Sequence, residues 1–94
     1  MAVSVKNLNG TSTRRPPAGY DSWLDYWRKT MRVPEEFIRC ANLSCDNWAE
    51  VGGHVKRANP ILGYSFIVPL CKACNAKSSK EVYGVDSSSL CRIR

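Results

Sequence analysis

The amino-acid sequence predicts a small α+β domain built around two pairs of cysteines. The chain has 94 residues, which is enough for one domain with a modest core. Four of its five cysteines form two closely spaced pairs. An amphipathic helical pattern precedes the first pair, and two apolar stretches with hairpin punctuation lie between the pairs.

The composition is that of a folded protein. Apolar residues make up 44% of the chain and charged residues 23%, so disorder throughout is not expected. No apolar run approaches the roughly 18 residues of a membrane span, and the start of the chain lacks the apolar core of a signal peptide. We therefore expect no membrane contact and a location in the reducing cytoplasm. The sequence has no glycine-rich phosphate loop, which excludes a nucleotide-binding α/β unit.

Residues 21–32 have the pattern of an amphipathic helix. An Asp-Ser pair at its start offers two candidate N-caps, and Trp23, Trp27 and Met31 recur on one helical face. This face either packs on the core, which is usual for aromatics in so small a domain, or forms a stacking platform for nucleobases.

The cysteine spacing indicates a metal site. Cys40 and Cys45 form a C-x4-C pair, Cys71 and Cys74 form a C-x2-C pair, and 25 residues separate the two. An odd cysteine count excludes complete internal pairing, and a reducing compartment favours metal binding over disulfides. Four thiolates suit tetrahedral zinc and leave no position for water. We expect one structural Zn²⁺ at these four residues, with the single histidine as an alternative ligand and Cys91 as a small packed apolar residue.

The element order predicts an irregular basic arm over residues 1–20 and a single zinc-binding domain over residues 21–94. Within the domain, residues 40–80 contain the two cysteine pairs, the hairpin between them and a short helix after Cys74. Residues 81–94 are expected to form an extended segment.

A treble-clef zinc finger has this order of elements: a cysteine pair, a hairpin, and a second cysteine pair at the start of a helix. The pairs, together with GGHV at residues 52–55 and IVPLCKACNAK at residues 67–77, resemble the ββα-metal core of HNH endonucleases. The longer series KNLNGTS, GYDSWLDYW, GGHV and IVPLCKACN is similar to small, functionally uncharacterised microbial zinc-finger proteins and covers most of the chain.

The HNH resemblance implies that His54 is a general base and that Asn75 is a ligand to a second divalent ion, Mg²⁺. The chain departs from that pattern, since it has one histidine and carries Gly53 where a polar residue is usual. A neutral asparagine alone is also a weak Mg²⁺ ligand. The alternative interpretation of His54 is structural, as a side chain that hydrogen-bonds backbone and holds the zinc loop.

The net charge of +6 is compatible with a DNA or RNA partner. The candidate phosphate contacts flank the hairpin and the second cysteine pair: Lys56, Arg57, Lys72, Lys77 and Lys80. The sequence therefore favours a non-catalytic zinc module that contacts nucleic acid. The alternatives are a metal-dependent HNH-type nuclease that uses His54 and a protein-interaction adaptor. An exposed apolar patch that includes Trp48 or Tyr64 would favour the adaptor.

Overall fold

The computed structural model describes residues 1–8, 15–34, 37–59 and 64–93. In these ranges the chain forms a small α+β fold with one antiparallel sheet of five strands. The elements are β1 (Ala2–Asn7), α1 (Trp23–Thr30), β2 (Val51–Arg57), β3 (Phe66–Leu70), α2 (Lys72–Asn75), β4 (Val82–Asp86) and β5 (Cys91–Arg92). The strand order in the sheet is β4-β1-β2-β3-β5. The α+β class predicted from the sequence is therefore confirmed.

Strand β1 corrects the expectation of an irregular arm over residues 1–20. It lies inside the sheet between β4 and β2, with Lys6 as the direct partner of both Val82 and Lys56. Val5 is fully buried and Asn7 is nearly so, while the residues between and before them are more exposed. This alternation turns one side of the strand toward the core. Residues 9–14 of the expected arm lie outside the described residues.

Helix α1 lies within the expected range of residues 21–32 but is shorter. The Ser22 side chain is its N-cap and accepts a hydrogen bond of 3.0 Å from the backbone N–H of Asp25. The chain leaves the helix at Arg32, whose φ of 57° is in the left-handed region. No helix in the described ranges is long and apolar enough to cross a lipid bilayer.

Helix α1 covers part of one face of the sheet, over β2 and β3. Trp27 is buried there in a cluster with Ile67 and Cys91, and its indole N–H donates a hydrogen bond of 2.7 Å to the carbonyl of Ser89. The interpretation of the helical aromatics as core is confirmed for Trp27, and Cys91 is the packed residue that the sequence predicts.

The predicted hairpin is formed by β2 and β3, which pair antiparallel. Two glycines in β2 allow other parts of the chain to pack closely against this hairpin, one on each face. A Cβ at Gly52 would lie 2.5 Å from the backbone carbonyl carbon of Trp23, so α1 can rest on the strand only if this residue is glycine. A Cβ at Gly53 points to the other face, where it would clash with Leu70 and lie 2.9 Å from Oδ1 of Asn75.

The face opposite α1 carries the larger buried cluster. Fully buried valines from four strands meet there: Val5, Val55, Val68 and Val85. Three cysteines belong to the same cluster, which places the cysteine-rich part of the chain directly on this core.

Candidate metal centre

Four cysteine side chains converge on the sheet face opposite α1. The Sγ atoms of Cys40, Cys45, Cys71 and Cys74 all lie within 4.8 Å of one another. The sulfurs of Cys45 and Cys71 are 3.8 Å apart. Four thiolates at about 2.3 Å from a zinc ion form a tetrahedron with edges of about 3.8 Å. All five cysteines of the chain are free thiols. The structure thus brings the four predicted ligands together in a group that could hold one metal ion.

The first cysteine pair is positioned by a tight loop. The backbone N–H of Cys40 donates to the carbonyl of Asn47 at 2.9 Å, and the N–H of Cys45 donates to the carbonyl of Asn42 at 3.0 Å. The buried Asn42 side chain also accepts a backbone N–H within the loop and directs its amide nitrogen at Sγ of Cys74, 3.5 Å away. Asn42 therefore shapes one pair and contacts a sulfur of the other.

The second cysteine pair sits where β3 ends and α2 begins. Cys71 is the N-cap of α2, and its Sγ accepts the backbone N–H of Cys74 at 3.4 Å. The amide nitrogen of Asn47 lies 3.8 Å from the same sulfur. The sequence predicts a helix that begins after Cys74. In the structure α2 spans Lys72–Asn75 and includes Cys74, because the Cys71 side chain caps a helix that begins at the next residue.

The two pairs contain thiols of different acidity. The backbone N–H of Cys74 stabilises the thiolate of Cys71 and lowers its pKa to about 7. Burial raises the pKa of Cys74 to about 12, and it also raises the pKa of Cys40. A bound cation favours the thiolate form at every ligand. A metal ion would therefore change the ionisation of Cys40 and Cys74 more than that of Cys71.

A buried asparagine from β1 holds α2 against the sheet. The Asn7 side-chain amide is directed at the carbonyls of Cys74, Asn75 and Lys77, at 2.9, 3.3 and 3.2 Å. The Tyr83 hydroxyl donates a hydrogen bond to Oδ1 of Asn7. These contacts satisfy carbonyl groups that a helix end leaves without partners. Asn7 is not identified in the sequence analysis. The one sign of its role in the sequence is its position, since it puts an amide on the apolar side of an alternating segment.

The structure does not bring the two predicted catalytic residues together. His54 is 6% exposed and lies under α1, where its ring meets the ring of Trp23 edge-on at a centroid distance of 4.6 Å. Asn75 is exposed beyond the other face, beside Gly53. Neighbouring strand residues point to opposite faces, so the sheet separates the side chains of His54 and Asn75. This geometry provides no shared site for a second divalent ion.

The five predicted phosphate contacts fall into two groups. Lys56 and Arg57 are exposed at the end of β2 that is distant from the cysteines. Lys72, Lys77 and Lys80 lie in α2 or just after it, and the ammonium of Lys77 is 3.3 Å from a carboxylate oxygen of Glu81. The set predicted from the sequence is therefore not one continuous patch.

Exposed aromatic side chains lie beside the first cysteine pair. Phe37 is 73% exposed and Trp48 is 54% exposed, with ring centroids 5.9 Å apart. The guanidinium of Arg39 lies 5.5 Å from the centroid of the Trp48 ring. Tyr64 is also partly exposed, but the Arg92 guanidinium stacks on it at 3.5 Å. Of the two aromatic residues named in the sequence analysis, Trp48 is thus the more exposed, and it lies beside a second exposed ring.

Comparison of the chain with models of known families, with curated proteins and with solved structures finds no match in any of the three. The resemblance to HNH endonucleases therefore has no support from relatives. The fold and the site define the protein as a small α+β domain with a four-cysteine candidate metal centre.

Proposed function

We propose that the protein is a zinc-binding module in which the metal is structural. The observation that carries this proposal is the convergence of four sulfurs, two of them separated by the edge length of a zinc tetrahedron, on the main buried cluster. Four thiolates leave no open position for water, so the ion would stabilise the fold and would not activate a substrate. The order of the cysteine pairs, the β2–β3 hairpin and α2 supports a treble-clef arrangement, and the placement of His54 and Asn75 on opposite faces of the sheet argues against HNH-type catalysis.

Metal analysis tests this part of the proposal. We expect about one equivalent of zinc per purified chain, and cobalt substitution should give the absorption bands of tetrahedral thiolate ligation. Cys45→Ser should lose both the metal and the folded signal in circular dichroism. A metal-free protein that keeps its fold and its thermal transition would contradict a structural role for the ion.

We further propose that the module contacts nucleic acid through exposed basic side chains. The net charge of +6 supports this role, as does the exposure of Lys56 and Arg57, which form no ion pair with other described residues. Contacts of this kind bind phosphates and carry little sequence information.

Fluorescence anisotropy with labelled single- and double-stranded DNA and RNA tests the nucleic-acid role. We expect an increase that weakens as salt is raised and that is the same with and without Mg²⁺. A flat signal at low salt would reject this role and leave the zinc module. A Mg²⁺-dependent loss of signal that His54→Ala abolishes would instead favour the nuclease.

The exposed Phe37–Trp48 pair favours a second candidate function, that of a protein-interaction adaptor. Aromatic residues and arginine are the side chains that anchor most protein interfaces, and Arg39 lies beside this pair. The adaptor predicts that Trp48→Ala leaves zinc content and nucleic-acid binding unchanged. A loss of nucleic-acid affinity in Trp48→Ala would assign the pair to the nucleic-acid surface and remove the support for an adaptor.

A further inference from the structure

Two lysines lie side by side on the part of the sheet that α1 leaves open. Lys6 of β1 is the direct antiparallel partner of Lys56 of β2. Side chains at directly paired positions point to the same face, with Cβ atoms about 4.5–5.5 Å apart. Like charges at such positions repel each other and destabilise the sheet. The pair is therefore unfavourable in the absence of an anion.

None of the described carboxylates forms an ion pair with either lysine. The ion pairs of the described residues use other groups: Asp25 with Arg28 and Lys29, Glu81 with Lys77, and Asp86 with the N-terminal ammonium. Lys6 and Lys56 take part in none of them. Two ammonium groups that share one face of the sheet are thus left to attract an anion from solution.

In the part of the chain that the structure describes, both lysines reach the surface, Lys56 as an exposed residue and Lys6 as a half-buried one. On the same face Ser4 is exposed two residues from Lys6, and Gly84 is the partner of Ser4 on β4. Helix α1 lies over the other end of β2, at Gly52 and His54. A ligand can therefore approach the two ammonium groups from above the sheet and can also reach the Ser4 hydroxyl.

We propose that Lys6 and Lys56 form a binding site for the phosphate backbone of duplex nucleic acid. This inference rests on the proposed nucleic-acid function and gives that function a place in the fold. A phosphate beside both ammonium groups converts their repulsion into two attractive contacts. The β1 and β4 residues on this face are Ala2, Ser4, Lys6, Val82, Gly84 and Asp86. None of these is aromatic, and the ring of Trp23 at the neighbouring end of β2 packs edge-on against His54, so the lysine pair suits the duplex backbone more than stacked single-stranded bases.

The inference also divides the basic residues described above, because Arg57, the partner of the buried Val5, lies on the opposite face from Lys56. Lys56 belongs to the proposed site. Lys6 also belongs to it, but the sequence does not indicate this, because the two lysines are far apart in the chain and are brought together only by the pairing of β1 with β2. Lys72, on α2 and beyond the other face, is outside the site. It carries the same charge and is exposed, which makes it a matched control.

The test compares the zinc-loaded wild type with Lys6→Gln, Lys56→Gln, the double variant and Lys72→Gln. Anisotropy of a labelled mixed-sequence DNA duplex is measured over a salt series. We expect the double variant to bind about tenfold more weakly at low salt, and its salt slope to fall by about 1.8, because each phosphate contact contributes about 0.9. Lys72→Gln should leave the slope unchanged.

A second measurement needs no nucleic acid. Lys6→Gln relieves the like-charge contact, so the melting temperature of the free protein should rise, whereas Lys72→Gln should not change it. A lower melting temperature in Lys6→Gln would show that the pair is not repulsive and would overturn the argument.

The outcomes distinguish the inference from the function on which it rests. If the wild type binds no nucleic acid at low salt, the proposed function fails and the site fails with it. If the wild type binds and the double variant binds equally well with the same salt slope, the inference alone is wrong. Equal weakening in Lys72→Gln would show that total charge, and not this site, determines affinity.

Discussion

The two helices are held against opposite faces of the sheet by different means. On one face an eight-residue helix, α1, packs through the buried Trp27. On the other face α2 has only four residues, which is too short for a helix that is stable by itself. The Cys71 sulfur and the Asn7 side chain hold it by hydrogen bonds, and the four-cysteine cluster lies beside it. The comparison teaches that both faces bury apolar side chains but that their helices are held differently, α1 by the packing of Trp27 and α2 by side-chain hydrogen bonds beside the cysteine cluster, so the two helices should respond differently to substitution.

The largest effect is expected when the metal site is broken. Cys74→Ser should abolish metal binding and unfold the face that carries α2, because structural zinc contributes on the order of 10 kcal/mol to folding in apparent terms. Circular dichroism with metal analysis measures both changes. Cys91→Ala is the matched control, since Cys91 is buried but lies in the α1 cluster, and it should retain the metal. Equal metal loss in both variants would contradict the division between the faces.

Truncation of Trp27 should have the next largest effect. Trp27→Ala removes the buried side chain under α1 and should lower the free energy of unfolding by about 3–5 kcal/mol. Urea denaturation of the zinc-loaded protein gives this value. Trp27→Phe keeps part of the apolar contact and loses the hydrogen bond to Ser89, so its loss should be smaller. A Trp27→Ala protein as stable as wild type would show that α1 does not support its face.

A smaller loss is expected where α1 touches the sheet. Gly52→Ala forces α1 away from β2, because the new Cβ would lie 2.5 Å from the carbonyl carbon of Trp23. Such overpacking should cost about 1–3 kcal/mol in thermal or urea unfolding. Gly84→Ala is the comparison, since the nearest atom to its new Cβ is 3.8 Å away and the change should be close to neutral. Equal losses in the two variants would mean that the close approach is not what requires glycine.

The smallest effect concerns the start of α1. Ser22→Ala removes the side-chain oxygen that accepts the N–H of Asp25 and should cost about 1 kcal/mol. Ser22→Asp restores an acceptor and should recover most of this stability in the same unfolding measurement. Failure of Ser22→Asp to recover stability would indicate that the cap is not the cause of the loss.

The features that depend on local spacing were predictable from the sequence. The two cysteine pairs, the β2–β3 hairpin and the position of α1 each follow from residues close together in the chain. Strand β1 was not predicted, because only Val3 and Val5 mark its apolar side and this alternation is too short to distinguish a strand from a loop. The contacts of the Asn7 side chain join residues 67 to 76 positions apart, and no local pattern encodes such contacts.

The separation of His54 from Asn75 could not be predicted for a related reason. Their motif places both near the hairpin, but the face to which each points depends on the strand alternation at Gly53 and on where α2 begins. A shift of one residue in a strand reverses the face of every side chain. Sequence spacing therefore identifies the cysteine site more reliably than it identifies a catalytic pair.

The pairing of β1 with β4 has a kinetic consequence. Ala2 pairs with Asp86, and all four clustered cysteines lie between these strands along the chain. Contacts between such distant residues give a high contact order, which slows folding. During synthesis, at about 5–20 residues per second, β1 emerges first and its outer neighbour β4 emerges after both cysteine pairs. All four cysteines are thus synthesised before β4 can pair with β1. A metal ion bound at that stage would shorten the loop between these two strands.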